Sequence, residues 1–308
     1  MGIVAIGAVF IDIKGFPDTT YIPDGRNSGR VEYIHGGVAR NVVEDIANME
    51  LRPTFVSSVD DTALGAAVIE KLQNHKVNTD YVSVVPDSMG TWLAVFDHNG
   101  DLAGSISKRP DHSPIMDILE EKGDEIFQNA DSVILQADLR KDIVKRVFKL
   151  AEKYNKKLYA LVSNMQLATE RRDFVQHFDC FICNVQEAGQ LFIEDYEGKT
   201  PEEMMPLIKE KVQRANIRSM VVTMGSQGAV YVDYDGNTGF CPARKVQVKD
   251  TTGAGDCFCA GVVSGLTYGK SMKEAVEIGN ALAAAVITSS ENVCPRFLPG
   301  EFGIMVEE

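Results

Sequence analysis

The sequence has no apolar run long enough to cross a membrane, which excludes a helical membrane protein. It has no basic segment before its first apolar stretch. Met1-Gly-Ile-Val runs straight into that stretch, which argues against a signal peptide and for a cytoplasmic location. Position 6 is Ile, not Ser or Thr, so N-myristoylation is not expected. Positive charge is scarce: 31 Lys and Arg stand against 44 Asp and Glu, a net charge of −13. So acidic a surface disfavours nonspecific binding to nucleic acid or anionic membrane, and any phosphate-bearing ligand needs local donors. There is one tryptophan, Trp92, and no internal repeat or low-complexity tract. Of six cysteines, Cys180 and Cys183 form a C-x-x-C without a second pair. Buried free thiols are therefore a better reading than zinc.

What is present is an ordinary globular composition, 44% hydrophobic and 24% charged over 308 residues, enough for a large core. Its most informative stretch is Lys249–Gly261, K-D-T-T-G-A-G-D-C-F-C-A-G. The run Val246–Val248 suits a strand end. Phe258, Val262 and Leu266 then recur at helical spacing, so the expected order is strand, glycine loop, helix N-terminus. Gly253, Ala254 and Gly255 leave their N–H groups uncovered where a helix start offers unpaired donors and partial positive charge. That suits a phosphate. A carboxylate there, Asp256, would repel the anion unless it takes a proton, which points to a general base. Alone, Asp256 could equally cap the helix. Cys257 and Cys259 follow it; a helix start can lower a thiol pKa, but packing is the better reading.

Asp250–Asp256 closely resembles the C-terminal signature of the PfkB (ribokinase-like) carbohydrate and nucleoside kinases. That resemblance implies that Asp256 is the catalytic base and that Gly253, Ala254 and Gly255 form the anion hole. His35-Gly-Gly-Val-Ala-Arg-Asn41 matches the N-terminal family signature, in which Gly36, Gly37 and Asn41 contact the acceptor. His35 and Arg40 flank it and read as surface or hinge residues. Asp12 matches a position that binds sugar hydroxyls, whereas Phe10 stands where relatives carry Asn. Asn184-Val-Gln-Glu187, by itself a helix start, corresponds to residues that organise magnesium, its waters and the phosphates. Thr223, Gly225 and Gly228 match the nucleotide loop, and Asn280 lies where relatives place adenine. Asp250 and Thr252 resemble a site for a monovalent cation, with K+ as the candidate.

The residue pattern agrees with this resemblance. Residues 2–12 read as a buried strand ending near Gly7, 13–35 as loop or short edge strand, and 91–108 as a hairpin turning at Asn99-Gly100. From residue 114 the chain alternates between helix and strand, as parallel sheets require. The expected fold is α/β: a ribokinase-like three-layer α/β/α domain over residues 1–308. It has a mainly parallel central sheet and a small β-lid from about 13–35 and 89–110. The resemblance implies an ATP- and Mg2+-dependent kinase for a hydroxymethyl group of a small sugar or nucleoside, and a homodimer through the lid. Asp12-Ile-Lys-Gly15 and Gly36–Glu44 look most like bacterial pseudouridine kinases, which makes pseudouridine the expected acceptor. Ribose, fructose and other nucleosides stay open, as does a sensor that binds without chemistry.

Overall fold

The computed structural model describes residues 1–165, 170 and 172–305. Nine strands form the main sheet: β1 (Ile3–Ile6), β4 (Thr54–Val59), β5 (Asn78–Val84), β8 (Ser132–Gln136), β9 (Leu158–Leu161), β10 (Cys180–Asn184), β11 (Met220–Thr223), β12 (Gly228–Val232) and β13 (Thr238–Pro242). Their order is β13-β12-β11-β10-β9-β8-β1-β4-β5, parallel except for β12 and β13. The inner parallel strands β1, β8 and β9 are short runs buried on both faces, which is how covered parallel strands read, whereas the edge strand β5 is only partly buried.

Alternation sends neighbouring side chains to opposite layers. Ile3 and Ala5 join one core cluster, Val4 and Ile6 the other. Helices α1 (Val38–Asn48), α2 (Ala63–Asn74), α8 (Ala254–Thr267) and α9 (Met272–Val286) cover the first face. Helices α3 (Ser113–Glu121), α4 (Gly123–Asn129), α5 (Lys141–Lys153), α6 (Val185–Phe192) and α7 (Pro201–Arg214) cover the second. Within the first layer α8 and α9 pack closely through small residues. A Cβ on Gly261 would lie 2.7 Å from Gly279. The C-x-x-C pair divides between the layers, so Cys180 and Cys183 do not converge on a metal.

A second, four-stranded sheet, in the order β3-β2-β6-β7, is the small sheet expected as a lid. It comprises β2 (Phe10–Pro17), β3 (Gly29–Gly36), β6 (Gly90–Phe96) and β7 (Leu102–Lys108). Two points of its pairing bear on the sequence reading. The first buried strand ends at Ile6, next to Gly7 as read, and the chain re-pairs in the second sheet from Phe10. Residues 13–35, read as loop or short edge strand, hold most of β2 and of the edge strand β3, which pair along their full length, from Phe10 opposite Gly36 to Pro17 opposite Gly29. Val246–Val248, expected as a strand end, pairs with no strand; beyond β13 the chain runs as loop.

No helix among the described residues is long and apolar enough to cross a membrane. The ends of β1, β8, β10 and β11 lead to the same side of the main sheet, beneath the lid. Open α/β sheets hold ligands at these carboxyl ends.

Candidate active site

Two cavities meet at the start of α8. The first, about 720 Å³, is lined by Thr223, Gly225, Gly228, Ala254, Gly255 and Asn280, among others. It therefore gathers most of the residues expected at the nucleotide. The second, about 750 Å³, lies under the lid and is lined by Phe10, Asp12, Gly37, Asn41, Trp92 and Arg109, among others. A third hollow, about 810 Å³, continues from Thr223 and Gly225 to Asn184.

The loop before α8 is built for close approach. Gly253 is the N-cap residue, with φ +79. A Cβ there would sit 2.1 Å from the Asn292 carbonyl oxygen, so no other residue fits without backbone movement. Above Gly255 there is open space on the cavity side. At the start of α8 the Ala254 N–H donates to Thr251 O at 3.2 Å; the donors that follow in the first turn have no intrahelical acceptors, which suits an anion.

Asp256 is the third helical residue and is not the cap. Its carboxylate instead reaches across to α1, where Asn41 Nδ2 donates to Asp256 Oδ2 at 2.7 Å. Burial pushes its pKa up to about 6, partly opposed by the Asn41 hydrogen bond and the Arg40 charge. A carboxyl that titrates near 6 is ionised at neutral pH yet basic enough to accept a hydroxyl proton. Asp256 links the two cavities: Asn41 lines one, and Ala254 and Gly255 line the other.

Asn41 is held in one orientation. Its Oδ1 accepts from an Arg40 guanidinium nitrogen and from Asn292 Nδ2, at 3.3 Å in the latter case. That fixes the Nδ2 donor on Asp256. Arg40 is not the expected surface residue; it is completely buried and bonded to Glu44, His35 O and Asn41. Gly37 begins α1 with φ +95, and a Cβ there would lie 2.7 Å from Ala8 O. Gly36 closes β3 against Asp12, whose carboxylate would meet a Cβ at 2.8 Å. Burial raises the Asp12 pKa, while Lys14 and Arg40 pull it down.

Other expected residues serve local structure in this state. Asn184 caps α6, and Glu187 Oε2 accepts from the Asn184 N–H at 2.8 Å, a capping box. Burial raises the Glu187 pKa. Thr252 donates through N and Oγ1 to Asp250 Oδ1, at 2.9 and 2.8 Å, which lowers the Asp250 pKa. Asn280 Nδ2 donates to the Cys241 and Pro242 carbonyls. Cys257 and Cys259 are buried, and burial drives both thiols far above their ordinary range.

Several cavity residues carried no motif. Asn292 joins through the loop after α9. His112, Gln136, Asp138, Arg140 and Ser163 line the acceptor cavity. Their distance along the chain hides them from any spacing argument.

The pfkB family carbohydrate kinase model matches residues 2–294. The chain belongs to this family. It is similar to the guanosine-inosine kinase of Exiguobacterium acetylicum, at 35% identity over 94% of this chain and 95% of the relative. It is also similar to the pseudouridine kinase of Escherichia coli, at 22% identity over 93% and 90%. The fold matches that of Arabidopsis thaliana ribokinase complexed with ribose and ATP, with a TM-score of 0.82, 21% identity, and coverage of 96% and 95%. The protein is therefore an ATP-using phosphotransferase with an alcohol acceptor, in a family of sugar and nucleoside kinases.

Proposed function

We propose that this kinase phosphorylates the hydroxymethyl group of a 6-oxopurine nucleoside such as guanosine or inosine. The observation that carries this reading is the exposed Arg109 guanidinium, without a protein partner, on the lining of a cavity that also holds two aromatic rings. Among the described residues Arg109 has no hydrogen-bond or ion-pair partner. His112 Nδ1 accepts from the Arg140 N–H at 3.3 Å, and burial keeps the imidazole neutral, so Nε2 carries its proton. Both residues therefore offer donors. A 6-oxopurine presents two acceptors, O6 and N7, on one edge, whereas adenine presents N7 and an amino donor. Phe10 and Trp92 supply rings for a base to stack on. Phe10 is wedged at Gly90, where a Cβ would lie 2.4 Å from the ring. The 35% relative, named for guanosine and inosine, supports the same choice over pseudouridine.

In this reading Asp12, Gly36, Gly37 and Asn41 orient the ribose. Asp256 takes the proton of the attacked hydroxyl. The N–H groups of Gly253, Ala254 and Gly255 receive the charge of the transferred phosphoryl. Thr223, Gly225, Gly228, Asn184 and Asn280 hold ATP. Glu187 keeps one carboxylate oxygen outside its capping box, which suits a magnesium ion held through water. When bound, that ion neutralises phosphate charge. Asp250, kept ionised by Thr252, offers the anionic group that K+ would need.

The test is ATP-dependent ADP release with guanosine, inosine, adenosine, pseudouridine and ribose. Guanosine and inosine should be preferred, and Arg109→Met should lower their kcat/KM by about 5- to 150-fold, the worth of one good bidentate contact. Adenosine turnover should change little. Preference for pseudouridine or ribose would reject the purine reading.

We further propose that the lid pairs two chains. Its face opposite Asp12 and Trp92 carries Val31, Tyr33, Leu93 and Ile106, each at least 40% exposed. A contiguous apolar patch of this kind marks an interaction surface. Sedimentation should show a dimer that Ile106→Asp converts to a monomer. A monomeric wild type would reject this.

A further inference from the structure

Arg40 and Glu44 form an ion pair with neither side chain exposed, one turn apart on α1. On sequence alone this is the spacing of an ordinary surface pair. Buried, it is costly: apolar residues of similar volume commonly stabilise a core as well or better. Packing therefore does not account for a guanidinium here. Its contacts offer a reason. One terminal nitrogen meets Glu44; the other meets the His35 carbonyl and the Oδ1 of Asn41. Asn41 in turn donates to Asp256. Glu44 is anchored from behind by Lys71, at 3.0 Å, and His75, at 3.7 Å.

We propose that Arg40, backed by Glu44, is the positioning residue of the catalytic base: it locks the Asn41 amide on Asp256 and supplies the positive charge that keeps this carboxylate ionised. The inference rests on Asp256 being the base. Arg40 would touch neither substrate nor the transferred group, and would act through Asn41 and through its field.

The charges around Asp256 fit that role. Helix α1 contributes Arg40 and Asp45. The start of α6 contributes Glu187. Its own helix contributes Cys257 and Cys259. Glu187 pushes Asp256 towards protonation. Asp45 is fully buried with a pKa raised to about 8, so it is mostly neutral at pH 7. Both thiols are protonated. Arg40 is thus the cation of this group, and it cannot lose its proton at working pH. The same charge also favours ionised Asp12, so one guanidinium serves both carboxylates of the acceptor site.

The single variant Arg40→Met would strand Glu44 in the core. The decisive variant is therefore the double change R40M/E44L, which removes both charges and leaves apolar volume. Acceptor kcat/KM is measured from pH 5 to 9 beside the melting temperature. Folding should be preserved. The acid limb should move up measurably, because Arg40 lowers the Asp256 pKa whereas Glu44 is not among the groups that shift it. An unshifted limb with an undiminished plateau would overturn the proposal. Arg40→Lys is the second variant, should the double one not fold. It keeps the charge but not the fork, so the limb should stay and the plateau rate should fall several-fold. A wild-type plateau would overturn the positioning half. Asp256→Asn run in parallel separates the two claims. If it leaves the acid limb in place, the base assignment fails. If it abolishes the limb while R40M/E44L leaves it unmoved, the role of Arg40 alone fails.

Discussion

Asp256→Asn is expected to lower kcat by about 10²- to 10⁴-fold, the usual worth of a positioned general base, while ATP affinity stays close to that of the wild type. The substitution is nearly isosteric. The side-chain oxygen can still accept from Asn41 Nδ2, so the contact between α1 and α8 survives. The loop donors at Gly253, Ala254 and Gly255 belong to the backbone and are untouched. Only the capacity to take a proton is lost. Binding of ATP, measured by calorimetry, should therefore separate from turnover, measured by ADP release. Equal loss of both would mean that the residue is structural. Full turnover would remove it from the mechanism.

The second large effect comes from two glycines two residues apart that should fail in opposite ways. Gly253→Ala should destabilise the protein by roughly 2–4 kcal/mol, as a β-carbon is forced into positive φ and against backbone. The contact is severe, because the Asn292 carbonyl would be 2.1 Å away. Asn292 also holds Asn41, so activity should fall with stability. Gly255→Ala should do the reverse. Nothing in the protein lies within 4 Å of its added methyl, and Ala in a helix is favoured by up to about 1 kcal/mol. Yet that methyl projects where an anion must approach, and kcat should fall at least about tenfold, as expected when an oxyanion donor is obstructed. Thermal melts beside steady-state rates check both. A Gly255→Ala enzyme with unaltered kcat would show that the phosphoryl group does not sit over this turn.

Much of this arrangement was legible before any coordinates. Glycines at 253 and 255 before a helical apolar spacing read as a loop into a helix start, and that is where both lie. The alternation of short apolar strands with helices required a covered parallel sheet. Other features were hidden for physical reasons. Residues 13–35 read as loop or short edge strand because they are polar and carry Pro17 and Pro23; the full pairing of β2 with β3 is a contact that this composition does not record. Val246–Val248 alternates like a strand, but the sheet ends at β13 and offers it no partner; it lines the nucleotide cavity instead. Arg40 and Glu44 have a surface spacing, and only packing by α8 and the loop at Asn292 makes them interior. Asp256 looked like a cap because Asp so often is one, but Gly253 holds the cap and frees the carboxylate for Asn41. Arg109 and His112, from the connection before α3, meet Asp138, from the connection after β8, where no local pattern records their meeting.

The central claim is that Asp256 accepts the acceptor's proton. The direct measurement is the pH dependence of single-turnover phosphoryl transfer, wild type beside Asp256→Asn. Asp256 has a folded-state pKa near 6, above its ordinary value, so the base is present above that pH and lost below it. The wild-type rate should fall as pH drops through about 6, and the slow residual rate of Asp256→Asn should lack that limb. A limb of the same midpoint in both proteins would contradict the assignment.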